Sequence, residues 1–438
     1  MSHPESVATY VDEPAQLGAV SEQLSQREHK SRVLNGSIIM LISTSLVAVL
    51  NFTFNVVMAR IMGPAEFGQM TAVVTILMLA SAISLSFQLV CAKFVARNET
   101  TGEKASIFHG LMGKAWIVSA AVGGAFIVLQ KPAAAYLHMP DSWVLAVLAI
   151  GISAYVPLGV RRGGMQGTCS FIRLSSNYII EATTKLIIAV VLVLMGYGVM
   201  GATGAISASI IAAYFLPRMP AEFRARAHTA LQPASFKEGM QATVFFVGQV
   251  IINNIDILLV KHFFAAEQAG VYAAVSLVGR VLYVAGWSSV SAMFPVSAAA
   301  KPRDSGAHVI VIPLLFVIGL SLAFILGSYF FPTVILGTIF GQGFSSAGSL
   351  LTLYAAATGL YSLSVVLMAF EMSRRIANTG WLQLIFSGIV VLAIGAFHQT
   401  LEQVIIIRIV LMALMLVLVS FPFVRRYRQV LAPQQETV

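Results

Sequence analysis

The chain is 438 residues long, 58% hydrophobic and only 10% charged, with a mean hydropathy of +0.85. A soluble domain is about a quarter charged, so these values exclude an ordinary soluble protein. The net charge of +9 would suggest nucleic acid in a soluble chain, but here the basic residues sit between apolar stretches and no nucleic acid is expected.

In chain order, residues 1–34 are polar, with Glu5, Asp12, Glu13, Glu22 and Glu28 ahead of a small basic cluster. No apolar core follows a basic start, so no cleaved signal peptide is expected, and the segment reads as a disordered tail. Apolar spans follow over 36–58, 70–91, 108–129, 143–160, 178–195 and 200–217. The last is rich in Gly, Ala and Ser, which suits a helix packed on neighbours rather than on lipid. A basic, proline-containing linker covers 218–236. Further spans cover 239–262, 270–295, 308–330, 347–370, 380–397 and 403–424, before a tail over 426–438. A span needs about 20 apolar residues to cross about 30 Å, so about twelve spans are predicted. The linker divides them into lobes at 35–217 and 237–425.

Lysine and arginine fall on every second gap. One set holds Arg27, Lys30 and Arg32, then Lys93 and Arg97, then Arg161, Arg162 and Arg173, then Arg218 and Arg224. It continues through Lys301 and Arg303, Arg374 and Arg375, and Arg425 and Arg426. The other gaps hold Arg60, Lys131 and Lys261. A cytoplasmic excess of Lys and Arg orients helical membrane proteins, which predicts a multi-pass membrane protein with both termini in the cytoplasm. Cys91 and Cys169 fall near that face, where disulfides are disfavoured, and both are expected to react with thiol reagents from that side. Two isolated thiols and scattered histidines give no metal site. Gly110 to Lys114 lacks the phosphate-loop spacing. No cofactor is expected.

The halves echo each other. Asn55 through Arg60, then Gly63, Pro64, Glu66 and Gly68, is matched by Asp256 through Lys261, then Glu267 and Gly270. Val90, Ala92 and Phe94 correspond to Val290, Ala292 and Phe294. Six intervening spans preserve orientation, so the repeat is parallel, about a pseudo-twofold axis along the membrane normal, and such repeats place a substrate site between the halves.

The run Ala59-Arg60-Ile61-Met62-Gly63-Pro64-Ala65-Glu66-Phe67-Gly68 resembles the junction that opens polysaccharide-exporting flippases of the multidrug/oligosaccharidyl-lipid/polysaccharide (MOP) exporter superfamily. Met165-Gln166-Gly167 followed by Phe171, and Gly270-Val271-Tyr272, are similar to later landmarks of that family. Arg60, Gly63, Pro64 and Gly68 are the motif positions. The resemblance implies an all-α integral membrane fold and a secondary transporter rather than an enzyme. Its cargo would be a lipid-linked oligosaccharide on polyprenyl diphosphate, moved by alternating access for surface polysaccharide synthesis. Membrane lipids and polysaccharide polymerase or assembly proteins would be its partners. Lipid II flippases carry an Arg-Asp pair where this chain has Phe54 and Asn55, so that substrate is not implied. The alternatives are a drug or organic-cation antiporter of the same superfamily and a membrane glycan polymerase or ligase.

A charge at a helix centre costs about 2.5–3.5 kcal/mol on insertion scales, so charges within spans mark candidate sites. Arg280, about eleven residues into the eighth span and near the midplane at about 1.5 Å per residue, could receive a diphosphate or pair with a buried acid. Lys185 follows Glu181 by one turn, an ion pair on one face. That pair is either structural or a cation switching between Glu181 and substrate phosphate. Asp256, after Asn253 and Asn254, is the candidate acid for proton or sodium coupling, or a helix-end hydrogen-bonding group. Asn51 and Asn55 share a face of the first span and could hold glycan hydroxyls or join helices. Arg408, near the outer end of the last span, is expected to snorkel, and Glu371 to anchor an interface.

Overall fold

The computed structural model describes residues 13–98, 100–224, 236–299, 307–373 and 379–431. The expected basic-loop residues Arg226, Lys301, Arg303, Arg374 and Arg375 lie outside them, as do most of the 218–236 linker and the ends of both tails. Among the described residues the chain is helical throughout. Residues 13–34, expected as disordered tail, continue the first helix α1 (Glu13–Arg97).

Among the described residues, nine helical stretches are long and apolar enough to cross a bilayer. Two are double length, Ile38–Arg97 and Phe171–Phe215, and each contains a glycine-marked break. In α1 the break is Gly63, with φ 72° and ψ 177°, a conformation that L side chains avoid. Pro64 follows at the start of the second arm, where its missing N–H costs nothing. Between α4 (Phe171–Leu192) and α5 (Gly198–Phe215) the chain turns through Gly196, φ 92°. With α12 (Gly380–Ala396), apolar but shorter, the spans match the about twelve expected.

The remaining helices are α2 (Thr101–Tyr136), α3 (Trp143–Gly167), α6 (Phe236–Phe263), α7 (Ala266–Gly279) and α8 (Val281–Ala299). They are followed by α9 (Ala307–Phe330), α10 (Pro332–Phe340), α11 (Gly348–Ser373) and α13 (Leu401–Leu431). The eighth span is therefore two helices meeting at Arg280 rather than one continuous rod. Helices α1 to α5 form one lobe and α6 to α13 the other. Exposed apolar side chains crowd α9 (Ile312, Leu315, Phe316, Leu322) and α13 (Val410, Val417, Phe421). They are the outer surface of a protein whose solvent there is lipid.

The lobes meet tightly at the Gly63 end. A Cβ on Gly68 would lie 2.7 Å from the Gly270 nitrogen, and one on Gly270 would lie 1.7 Å from the Pro64 carbonyl oxygen. Gly68 and Gly270 occupy corresponding places in the two halves.

Around the crossing, Arg60 Nε donates to the Ile339 carbonyl at 2.8 Å and its Nη2 to that of Thr338. Arg60 thus caps the C-terminus of α10, where a cation is favoured. Phe67 packs against Phe340 and Phe344, with centroids 6.1 and 5.7 Å away. His262 Nδ1 donates to the Tyr136 carbonyl at 2.6 Å, and its ring lies on the Tyr136 ring at 3.7 Å. The motif read in the sequence is thus the seam between lobes. About three to six turns away along the same helices, Leu79, Ile83 and Ser86 of α1 and Val247, Ile251 and Ile255 of α6 line an open cavity of about 460 Å³. The lobes are closed at one end and parted further along.

Cys91 is not accessible as expected: it is buried with Val95, Phe108 and Val160 in a small separate core of the first lobe. Cys169 is exposed just beyond α3. An impermeant maleimide should therefore leave Cys91 unlabelled in folded protein and reach Cys169 only after the membrane is permeabilised. Labelling of Cys169 in intact cells would reverse the sidedness read from the basic loops.

Candidate functional site

Most charges inside the helical bundle gather into one cluster per lobe, with Lys261 and Glu371 buried apart from them. In the second lobe Asp256, on α6, has no exposed surface. It pairs closely with Arg408 of α13, and Arg280 Nη2 stands 3.7 Å from its other oxygen. Tyr272 of α7 and Tyr354 of α11 donate hydroxyls to Asp256 Oδ2 at 2.7 and 3.2 Å. Arg408 also donates to the Tyr354 hydroxyl at 3.2 Å, and Arg280 Nη1 to Asn254 Oδ1 at 3.0 Å. Four helices and the α7–α8 joint thus converge on one carboxylate. Their reason is electrostatic: an ionised carboxylate in apolar surroundings is tolerated only when paired and hydrogen-bonded.

The two arginines differ. The Arg408 side chain is 4% exposed and tight on Asp256, whereas that of Arg280 is 17% exposed and further away. Nε and Nη2 of Arg280 are buried without a hydrogen-bond acceptor, so Arg280 keeps donors to spend. Arg408 corrects the expectation from sequence, which had it snorkelling to an interface. Asp256 holds it inside. Asp256 itself serves as counter-charge to both arginines, and its Oδ1, with Arg280 at 3.7 Å, accepts no hydrogen bond.

In the first lobe, Glu181 on α4 does not pair with Lys185 as its spacing suggested. It is taken by Arg162 of α3, whose Nε also donates to Asn177 Oδ1 at 2.7 Å. The guanidinium lies 4.1 Å from the Tyr178 ring centroid, and Asn177 in turn donates to the carbonyls of Ala213 and Leu216 at the end of α5. Lys185 instead reaches across to α1, donating to Asn51 Oδ1, with its ammonium 5.0 Å from the centre of the Phe54 ring. Asn55 donates to the Asn51 carbonyl at 2.8 Å, so Asn51 and Asn55 are local to Lys185.

Arg162 and Arg408 are the residues that sequence reasoning missed. Arg162 follows Arg161 at what read as a span end and was counted as a loop cation; α3 runs on to Gly167 and buries it to 4% exposure. The available signal was charge neutrality, since Asp256 and Glu181 each required a cation from another helix. Glu371 also departs from expectation: it is buried rather than interfacial, with Thr379 donating to it at 2.9 Å. Arg60, Gly63, Pro64 and Gly68 lie at the seam described above. No group of three or more metal-ligating side chains occurs among the described residues.

The two clusters predict different costs on mutation. Asp256→Asn leaves two buried guanidiniums unmatched and should destabilise the protein by about 3–5 kcal/mol. Lys185→Met removes a cation whose partner is a neutral amide and should cost only about 1 kcal/mol. Thermal unfolding of the purified variants tests this; equal losses would mean that Lys185 neutralises a carboxylate after all.

The comparisons with known proteins accord with this architecture. Residues 33–301 match the family described as "Polysaccharide biosynthesis protein". No curated protein matches. Among solved structures, a multidrug resistance MATE family transporter of the MOP superfamily in its inward-facing conformation is 12% identical. It matches at a TM-score of 0.71 over 92% of this chain and 99% of its own. An outward-facing structure of a MATE family transporter of that superfamily is 17% identical and matches at 0.59 over 93% and 97%. A MOP superfamily transporter from Pyrococcus furiosus, titled for the reverse polarity of its binding pocket, is 14% identical and matches at 0.59 over 93% and 97%. The chain belongs to the polysaccharide biosynthesis protein family and is a multi-pass membrane protein with the fold of the MOP superfamily.

Proposed function

We propose that this chain is a secondary transporter that flips a lipid-linked oligosaccharide, carried on polyprenyl diphosphate, out of the bacterial cytoplasmic leaflet by alternating access. The observation that carries this reading is the charge count in each cluster. The first holds Arg162 and Lys185 against Glu181, and the second holds Arg280 and Arg408 against Asp256. Each cluster therefore keeps one cation beyond its carboxylate. In each case the cation outside the tight ion pair, Lys185 or Arg280, is also the more accessible one. A diphosphate brings about two negative charges, and buried cations with unspent donors suit phosphate oxygens. An organic cation would meet the wrong sign at both clusters. A polymerase or ligase would act at an outer loop rather than between lobes. The closed Gly63 seam and the cavity beyond it support a state open toward the cytoplasm, given the predicted sidedness.

Arg280→Ala is expected to remain folded, because Arg408 stays on Asp256, yet to lower export about 10- to 100-fold, the worth of a lost charged hydrogen bond. Arg280→Lys should retain part of the activity, since the charge remains and the planar fork is lost. Export and membrane abundance are measured together in cells that depend on this chain for surface polysaccharide. Full export by stably inserted Arg280→Ala would remove the diphosphate assignment.

Alternating access requires the seam to open. With Cys169→Ser in the background, Tyr136→Cys and His262→Cys bridged by a reducible cross-linker should halt export, and reductant should restore it. Undiminished export by the bridged protein would show that this seam does not move during transport.

A further inference from the structure

The second lobe contains another cavity, of about 680 Å³, beside the seam and on the α7–α13 side of the arginine cluster. Its walls are the first turns of α7, α11 and α13, with Pro64 of the first lobe at one edge. Val271 and Leu350 also line it. The residue after Val271 and the residue one turn beyond Leu350 are Tyr272 and Tyr354, the two tyrosines that hold Asp256. The cavity wall and the charge cluster are thus built on the same stretches of α7 and α11. Its edge is the motif proline whose carbonyl meets Gly270.

Its chemistry is the opposite of the cluster beneath it. Glu267 and Glu402 line it, exposed and without a hydrogen-bond or ion-pair partner, together with Gln399 and Ser349, and no lysine or arginine does. Phe263 carries the His398 ring stacked on it at 3.8 Å. His398 Nδ1 donates to the Ile394 carbonyl at 3.1 Å, which leaves Nε2 as an acceptor in the neutral ring. The two carboxylates disfavour a phosphate or other anion here, against the opposite pull of the helix N-termini. A metal is not indicated either, because Glu267, Glu402 and His398 do not converge into a metal-holding group. Carboxylates able to accept several hydroxyls, an amide and a hydroxyl that both donate and accept, and an aromatic face beside them suit a polyhydroxylated ligand. The volume is within the usual range of about 300–1,000 Å³ for small-molecule sites.

We infer that this cavity is a saccharide site that receives uncharged sugar units of the cargo while the arginine cluster holds its diphosphate. The inference rests on the export reading above. It divides recognition by charge: cations for the phosphates, carboxylates and amides for the sugar hydroxyls. It also assigns a specificity, because uronic acids would be repelled by Glu267 and Glu402.

The test uses the full chain in lipid nanodiscs with maltoheptaose as neutral probe and tetragalacturonate as acidic probe, read by saturation-transfer NMR. Native protein should bind maltoheptaose saturably and tetragalacturonate not at all. The exposed double variant Glu267→Gln, Glu402→Gln should weaken maltoheptaose about tenfold or more, the equivalent of one charge-assisted hydrogen bond. Absence of saturable maltoheptaose binding, equal binding of both probes, or binding unchanged in the double variant would each overturn the assignment. So would saturable binding of tetraphenylphosphonium in place of the sugar. Sugar-free polyprenyl diphosphate serves as the separate control. It should depend on Arg280 and be indifferent to Glu267 and Glu402. If it fails to bind while maltoheptaose binds as expected, the saccharide site stands and the lipid-diphosphate reading falls.

Discussion

A charge placed in hydrocarbon must find its counter-charge within the protein, and the architecture of both lobes follows from that requirement. Asp256 has no surface through which water could reach it, so α13 supplies Arg408, the α7–α8 joint supplies Arg280, and α7 and α11 each supply a tyrosine hydroxyl. Glu181 is met in the same way by Arg162 from the neighbouring α3. Such pairs are weak evidence of net stabilisation, because desolvation offsets most of the attraction. They do fix which helices are neighbours, since an alternative packing would strand a charge.

The seam obeys a different constraint, that of volume. Two helices can cross as closely as α1 and α7 do only where neither carries a side chain, and Gly270 fits because nothing larger than hydrogen faces the Pro64 carbonyl. Gly63 supplies the bend that brings the second arm of α1 to this crossing. The clasping contacts around it are individually modest. Arg60 bonds to carbonyls rather than to a carboxylate, and His262 to one carbonyl and a stacked ring. Contacts of this kind hold a closed state without making it irreversible. A buried ion pair across the same surface would instead have to be desolvated and resolvated in every cycle.

What the sequence showed and what it hid can be traced to the range of each signal. Hydropathy is a property of a window, so the spans were legible from composition alone. The repeat was legible because its loops carry matched charges and glycines, at Arg60 and Lys261 and at Gly68 and Gly270. Partner choice is a property of three-dimensional packing, and there the reading failed. Glu181 and Lys185 lie one turn apart, but such pairs contribute only about 0.2–0.5 kcal/mol on a helix. A guanidinium from an adjacent helix, also bound to Asn177 and stacked on Tyr178, offers more contacts to the same carboxylate. Likewise α10 was missed because Pro332, Gly337 and Gly341 interrupt a short apolar run that shows no periodicity of its own. It becomes a helix because Arg60 caps its end and Phe67 packs on Phe340.

The sign of the surplus charge bears on how the proposed cargo would be driven. Moving a charge across the membrane potential is worth about 2.3 kcal/mol per 100 mV, and an anion leaving an inside-negative cell moves downhill. Two phosphate charges would therefore carry about twice that in the export direction. A transporter with this cargo has less need of a coupling ion than one that expels a cation against the same field. In keeping with that proposal, the carboxylate best placed to bind such an ion, Asp256, already has two guanidiniums beside it. Arg280, held at 3.7 Å with donors unspent, can exchange its carboxylate for a phosphate oxygen, while Arg408 keeps Asp256 neutralised. Binding of the cargo then gives Arg280 an anion of its own and cancels the surplus charge of the cluster.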